Sequence, residues 1–262
     1  MDHLSVSQIN LYLLCSLKYR FQYLDELPKP FRPAALAFGS AFHSALAWLH
    51  KQMTNGNGNG NGNGNGATVE RLCKIFDADW YAQRLDTKIL YNSRETEMGL
   101  GMLAKELLRL YFARPQQGVV GAEVPFTVPL VNPTTGKELG MNLEGFIDLI
   151  AADDTIIEFK TSGQTISPRD VDNHLQLTGY SYAYEVLHQR PAKVLRIVDF
   201  VKSRRPKMVV LDTTRTRLDH QRFLCLAKEV LGGIRSRVFF PRTGYWCRDC
   251  EYAQQCKEWK GN

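Results

Sequence analysis

The 262 residues, 44% hydrophobic and 23% charged, are those of an ordinary globular protein with apolar side chains enough for one elaborated domain. No apolar run approaches the roughly 18 residues of a membrane span, and Met1-Asp-His-Leu-Ser5 lacks the basic start and apolar core of a secretory leader. The expected compartment is therefore the cytoplasm, with no membrane partner, and a net charge of +6 is compatible with a polyanionic partner without requiring one.

In chain order, Ser5-Val-Ser-Gln8 fits a capping box that opens a helix running to about Tyr23. Ile9, Tyr12, Leu13, Leu17, Phe21 and Leu24 recur at helical spacing, with Cys15 among them as a small core residue. The Pro-rich stretch 27–33 ends it. A second helix starts near Ala37 and carries Gly39 and His43; taken alone, His43 reads as a partly buried, hydrogen-bonded histidine. Residues 55–66 are six Asn-Gly repeats, which have no apolar content to offset the entropy of ordering. They are expected to form a disordered insertion without a chemical role. Helices follow at about 68–84 and 95–113. Cys73 on the first reads as core filler, and Met98, Leu103, Leu107, Leu110 and Tyr111 on the second as core packing. A β-rich stretch 119–130 then turns at Asn132-Pro-Thr-Thr-Gly136 into a second arm. Glu123 on the first arm is in position to approach a site on the second, but reads first as a surface carboxylate.

The stretch 144–162 (E-G-F-I-D-L-I-A-A-D-D-T-I-I-E-F-K-T-S) has two apolar runs, 146–150 and 155–159, joined by turn-forming aspartates, the pattern of a β-hairpin. Alternation puts Glu158 and Lys160 on one face and Ile157 and Phe159 on the other. The hairpin returns Asp148 to the same spot. Two carboxylates suit a hard divalent ion such as Mg²⁺ or Mn²⁺, and a lysine beside them can hold the attacking water. Any E-x-K tripeptide alone reads as an exposed ion pair. Ser167-Pro-Arg-Asp170 begins a helix to about His188, on which Gln176 and Tyr180 share a face while Tyr182 and Tyr184 read as core. Strands near 194–202 and 207–213 enclose a cationic tip, 202–207, that reads equally as a solvated turn or a phosphate contact. A last helix covers about 215–236, with Cys225 as a small core residue.

The order D-x9-E-x-K of Asp148, Glu158 and Lys160 resembles the core of the PD-(D/E)xK nuclease superfamily. Gly145-Phe-Ile-Asp148 resembles its G-x-x-D, while Gln176…Tyr180 and Gly39…His43 resemble the Q-x3-Y and G-x3-H of its RecB-like branch. The resemblance implies an α/β fold spanning 1–262: a mixed central sheet flanked by helices, a helical N-terminal part and a cluster-bearing C-terminus. It implies metal-dependent hydrolysis of DNA phosphodiesters, exonucleolytic on single-stranded ends in repair or recombination. His43, Asp148 and Glu158 would hold one or two Mg²⁺ or Mn²⁺ ions, with the Phe159 carbonyl as a further ligand. Lys160 would position the attacking water, and Gln176 and Tyr180 would orient Lys160 or the strand.

Cys247, Cys250 and Cys256, spaced C-x2-C-x5-C, imply a metal or cluster in a reducing compartment, and they need a fourth ligand that no histidine after His220 supplies. RecB-like nucleases of the AddB and CRISPR-associated types resemble this chain here. That resemblance implies a [4Fe–4S] cluster on Cys15, Cys247, Cys250 and Cys256, binding region 240–259 to the first helix as a structural staple. Structural Zn²⁺ on the same thiolates is the open alternative. No Walker A motif is present, so a helicase would be a separate partner protein. Two other readings stand beside the repair exonuclease. One is a CRISPR-associated nuclease trimming DNA for an integrase partner; the other is a non-catalytic DNA-end-binding module, against which the intact His43/Asp148/Glu158/Lys160 set argues.

Overall fold

The computed structural model describes residues 3–55 and 66–261; apart from its two ends, the Asn-Gly repeat lies outside them. Strand β1 (His3–Leu4) leads into helix α1 (Val6–Leu14), whose N-cap Ser5 accepts the Gln8 N–H at 3.1 Å. The helix expected to continue to Tyr23 breaks at Cys15, which is extended (φ −162°, ψ 103°), and resumes as α2 (Ser16–Tyr23). The break is offset by the far end of the chain. The Leu17 N–H donates to the Phe240 carbonyl at 3.2 Å, and the Phe240 N–H donates to Ser16 Oγ at 2.9 Å. Ile9, Leu17 and Phe21 still enter one core from both pieces, which is why the periodicity runs unbroken through the interruption. Leu13 and Leu24 stay partly in solvent.

Next come β2 (Arg32–Pro33), α3 (Ala34–Asn55), α4 (Val69–Asp86), β3 (Ile89–Leu90) and α5 (Glu97–Ala113). Thr68 and Thr96 cap α4 and α5 through their hydroxyls. The sheet is built from β4 (Val119–Val131), β5 (Glu138–Ala151), β6 (Thr155–Ser162), β7 (Val194–Val201) and β8 (Lys207–Thr213) together with β1. Strand β5 is the hub. It pairs antiparallel with β4 along its length, parallel with β1 at Asn142 and Leu143, and antiparallel with β6 at Leu149 and Ile150. β6 and β7 run parallel, so the chain must cross over between them, which it does through α6 (Pro168–Asp172) and α7 (Leu175–His188). The helix α8 (Arg217–Arg235), a short 3-10 turn (Tyr245–Cys247) and α9 (Ala253–Glu258) complete the chain.

Each face of this mixed sheet is covered by helices. Phe38, Phe42, Trp80 and Leu107 of α3–α5 pack on Ile157, Phe159 and Phe200, while Ile9, Leu17, Tyr184 and Phe223 pack on Ile156, Leu195 and Ile197. The alternation expected for β6 thus holds residue by residue. Three residues expected in the core lie outside it. Met98 and Leu110 lie on the outer side of α5 (76% and 41% exposed), and Cys225 is exposed on α8 rather than in the core. The helix expected over 168–188 is interrupted at Asn173-His174, where the Arg215 guanidinium takes the carbonyls of Val171 and His174 and the Thr178 hydroxyl. No proline or glycine marks that break, and a distant arginine donates to carbonyls on both sides of it. No helix among the described residues is long and apolar enough to cross a membrane.

Candidate active site

The β5–β6 register, Leu149 against Ile157 and Ile150 against Ile156, continues to set Asp148 across from Glu158. Asp148 is buried, and its Oδ2 accepts the Phe159 N–H at 2.7 Å. Helix α3 brings His43 alongside, its Nδ1 3.5 Å from the same oxygen. On the other flank of β5, the pairs Ala122–Leu149 and Val124–Ile147 leave Glu123 opposite Asp148. Glu123 has φ +51°, a left-handed backbone uncommon outside glycine and a form of strain that persists where surrounding structure enforces it. One ligand atom each from His43, Glu123 and Asp148 lies within 4.8 Å of the other two. They form the end of a cleft of about 690 Å³.

Glu158 is turned to a second group. Its Oε1 is 2.6 Å from the Lys160 ammonium, which donates to Gln176 Oε1 at 2.7 Å; the Gln176 amide in turn donates to the Tyr180 hydroxyl at 2.7 Å. Glu158 Oε2 is buried without a hydrogen-bond partner among the described residues. Burial, then the charge of Asp148, pushes the Glu158 carboxyl up to about 7 against the pull of Lys160 and His43. Burial and Asp148 likewise raise Glu123. For His43, burial lowers the pKa, but the hydrogen bond and charge of Asp148 and the charge of Glu158 outweigh it and the net shift is upward. Tyr180 is raised by burial and by Glu158 and Asp148, so it stays a neutral phenol. Three crowded carboxylates, one with an orphaned buried oxygen, favour the presence of added positive charge, and the oxygen-rich donor set fits a hard divalent cation.

Of the three side chains expected to hold a metal, His43 and Asp148 come together, while Glu158 is turned to Lys160 and lies outside the group that Glu123 completes. Phe159 is buried among α3 and α5 and reaches Asp148 through its N–H. Glu123, ranked as a surface carboxylate, belongs to the cluster. Its only sequence signal is an acid on a half-apolar arm, and neither the register nor the positive φ that aims it can be read there.

The two motif glycines differ in what they do. A Cβ on Gly145 would meet the Phe126 ring at 2.8 Å, and Phe126 packs edge-on against Tyr180 with centroids 5.8 Å apart. Gly145→Ala is therefore expected to lower stability by about 1–3 kcal/mol in urea unfolding. A Cβ on Gly39 would meet only Thr161 Oγ1 at 3.5 Å, ordinary contact, so Gly39→Ala should leave the unfolding midpoint at or slightly above wild type.

At the other end of α1–α2, Cys15, Cys247, Cys250 and Cys256 line one cavity of about 260 Å³ with Phe21, Trp246 and Tyr252. No carboxylate or histidine lines it, and Lys18, Arg242 and Lys257 do. Burial raises the Cys256 thiol, and Cys15, Cys250 and Cys247 raise it further, as mutually close thiols do. The C-terminal segment is anchored by its own bonds: Tyr12 to the Val238 carbonyl, Arg242 to the Leu13 carbonyl, Tyr252 to the Leu27 carbonyl, and a Lys18–Glu251 ion pair.

The sequence profile of the PD-(D/E)XK nuclease superfamily matches residues 3–257. No curated protein matches the chain by sequence. Among solved structures, a suspected exonuclease from Eubacterium rectale superposes with a TM-score of 0.63 at 13% identity, over 100% of this chain and 89% of that one. The protein SSO0001 aligns at a TM-score of 0.39 and 13% identity, over 96% and 93% of the two chains.

Proposed function

Because the chain belongs to the PD-(D/E)XK nuclease superfamily, we propose that it is a metal-dependent deoxyribonuclease of the RecB-like branch, acting as an exonuclease on single-stranded DNA ends. The observation that carries this reading is the meeting of Asp148 and Glu158 across β5–β6, with Lys160 tied to Glu158 and Gln176. His43, Glu123, Asp148 and Glu158 would hold one or two Mg²⁺ or Mn²⁺ ions, with the Phe159 carbonyl as a further ligand. Bound there, such an ion supplies Lewis-acid polarisation of a phosphodiester oxygen and a lower pKa for water. The protein's own groups do the positioning. The Phe159 N–H fixes the Asp148 carboxylate, and Glu158 and Gln176 fix the Lys160 ammonium from two sides. That ammonium orients the attacking water by hydrogen bond and offsets negative charge developing on phosphate. Tyr180 accepts from the Gln176 amide and so settles which way that amide faces Lys160.

The test is cleavage of end-labelled linear and circular single-stranded DNA with Mg²⁺ or Mn²⁺. Loss of the linear substrate alone supports the exonuclease; cutting of circles makes it an endonuclease. No cleavage of either would overturn the reading in favour of a DNA-end-binding module. Metal binding has its own readout. Mn²⁺ at a hundredfold excess over its dissociation constant should stabilise the protein by about 2.7 kcal/mol in thermal unfolding. Asp148→Asn, which keeps an oxygen for the Phe159 N–H, should abolish that shift.

For the four cysteines we propose a [4Fe–4S] cluster. The all-thiol lining and three flanking cations, which offset thiolate charge, support it. Zinc needs its four sulfurs about 2.3 Å from one ion, hence about 3.8 Å from each other. Zinc on the same four thiolates is the alternative, and metal analysis separates the two.

A further inference from the structure

The cleft that ends at His43, Glu123 and Asp148 continues along one face of α3 to Trp48 and Lys51. His43, Ala47, Trp48 and Lys51 recur at three- and four-residue spacing, so they share that face, and Lys51 stands about 12 Å along the helix axis from His43. Trp48 is half-buried, its indole part of the cleft wall rather than of the core proper. The Arg71 guanidinium lies over its ring, 5.7 Å from the centroid, within cation–π range. Neither the Lys51 ammonium nor the Arg71 guanidinium has a carboxylate partner among the described residues, and both are exposed. Lys51 lines the same cleft as Glu123, which places an unpaired cation in the cavity that holds the acids.

A flat indole and an unpaired cation in the cleft, with acids at its far end, match one ligand chemistry: an aromatic base with a phosphate attached, its neighbouring phosphate reaching the acids. We propose that Trp48, Lys51 and Arg71 form a subsite for one unpaired nucleotide next to the phosphate to be cleaved. The base stacks on the cleft side of Trp48, Arg71 backs the indole from outside the cleft, and Lys51 takes the flanking phosphate. The inference rests on the nuclease reading and adds to it the residues that select a single strand. Within the cleft a base lies on the indole as one nucleotide of a single strand, which favours an unpaired end without any sequence readout. The cleft volume, about 690 Å³, lies within the range of small-ligand pockets.

The experiment is fluorescence anisotropy with labelled oligo-dT and a labelled blunt hairpin, in Mg²⁺, with every protein carrying Lys160→Ala. Adding Trp48→Ala should weaken oligo-dT binding about tenfold and leave the hairpin unchanged. Trp48→Tyr, which keeps an aromatic face, should stay within a few-fold of its parent. Lys51→Ala should reduce the slope of log affinity against log salt by about 0.7 for oligo-dT. Equal binding by Trp48→Ala and its parent, or equal losses on both DNAs, overturns the subsite. If Trp48→Ala fails to fold, a tenfold loss in Trp48→Tyr or an unchanged salt slope in Lys51→Ala overturns it instead. Cleavage of the probes by the Lys160→Ala parent overturns the active-site assignment and leaves the subsite to the binding data.

Discussion

Lys160→Ala is expected to lower cleavage of single-stranded DNA by about 10²–10³ while leaving the fold intact. Two effects act together. The ammonium that orients water and offsets charge on phosphate is gone, and so is the cation 2.6 Å from Glu158. Burial and Asp148 already hold that carboxyl near 7, with Lys160 the largest of the opposing influences. Without Lys160 that opposing influence is gone and the carboxyl moves higher still, which weakens its hold on a metal as well. Lys160→Arg should not restore activity, because a planar, longer guanidinium cannot sit as a point charge between Glu158 and Gln176. Gln176→Leu acts only through Lys160, so its loss should be smaller, about tenfold. The measurement is initial rate in Mn²⁺ together with circular dichroism and a melting curve. A Lys160→Ala rate within a few-fold of wild type would remove the lysine from the chemistry.

How much of this site was readable is set by the range of each interaction. Asp148, Glu158 and Lys160 lie on one hairpin, and strand alternation plus a short turn suffice to bring them together. His43, Gln176 and Tyr180 are far away in sequence, and only resemblance to a family placed them. The structure adds the bonds, Lys160 to Gln176 to Tyr180, that give those positions physical content. Glu123 ranked below the other candidates because its place depends on a left-handed backbone and on register with β5, both tertiary outcomes. The helix breaks at Cys15 and at Asn173-His174 were missed for a similar reason. Local propensity favours continuity there, and groups from elsewhere, Phe240 in one case and Arg215 in the other, substitute for the lost helical bonds. Exposure of Met98 and Cys225 has a simpler cause: each sits on a helix face that has no neighbouring layer, and apolar surface of this kind is ordinary.

The break at Cys15 bears on the second large effect. In a continuous helix Cys15 would follow the α1 face; extended backbone instead turns it into the cavity shared with Cys247, Cys250 and Cys256. If those thiolates hold a cluster, its binding free energy is folding free energy, on the order of 10 kcal/mol for a structural site. That is comparable with the whole stability of a domain. Cys15→Ser is then expected to give colourless protein, to lower the unfolding midpoint sharply and to expose 240–259 to protease, because only the bonds of Phe240, Arg242 and Tyr252 and the Lys18–Glu251 ion pair are left to hold that segment. Cys225→Ser and Cys73→Ala should keep the brown colour and broad visible absorbance of wild type, since the first is exposed on α8 and the second buried on α4, both away from the cavity. Metal analysis alongside the spectra separates the alternatives. Four irons per chain support the cluster, one zinc in colourless wild type refutes it while keeping the four-thiolate site, and full stability in Cys15→Ser without either metal removes the site altogether.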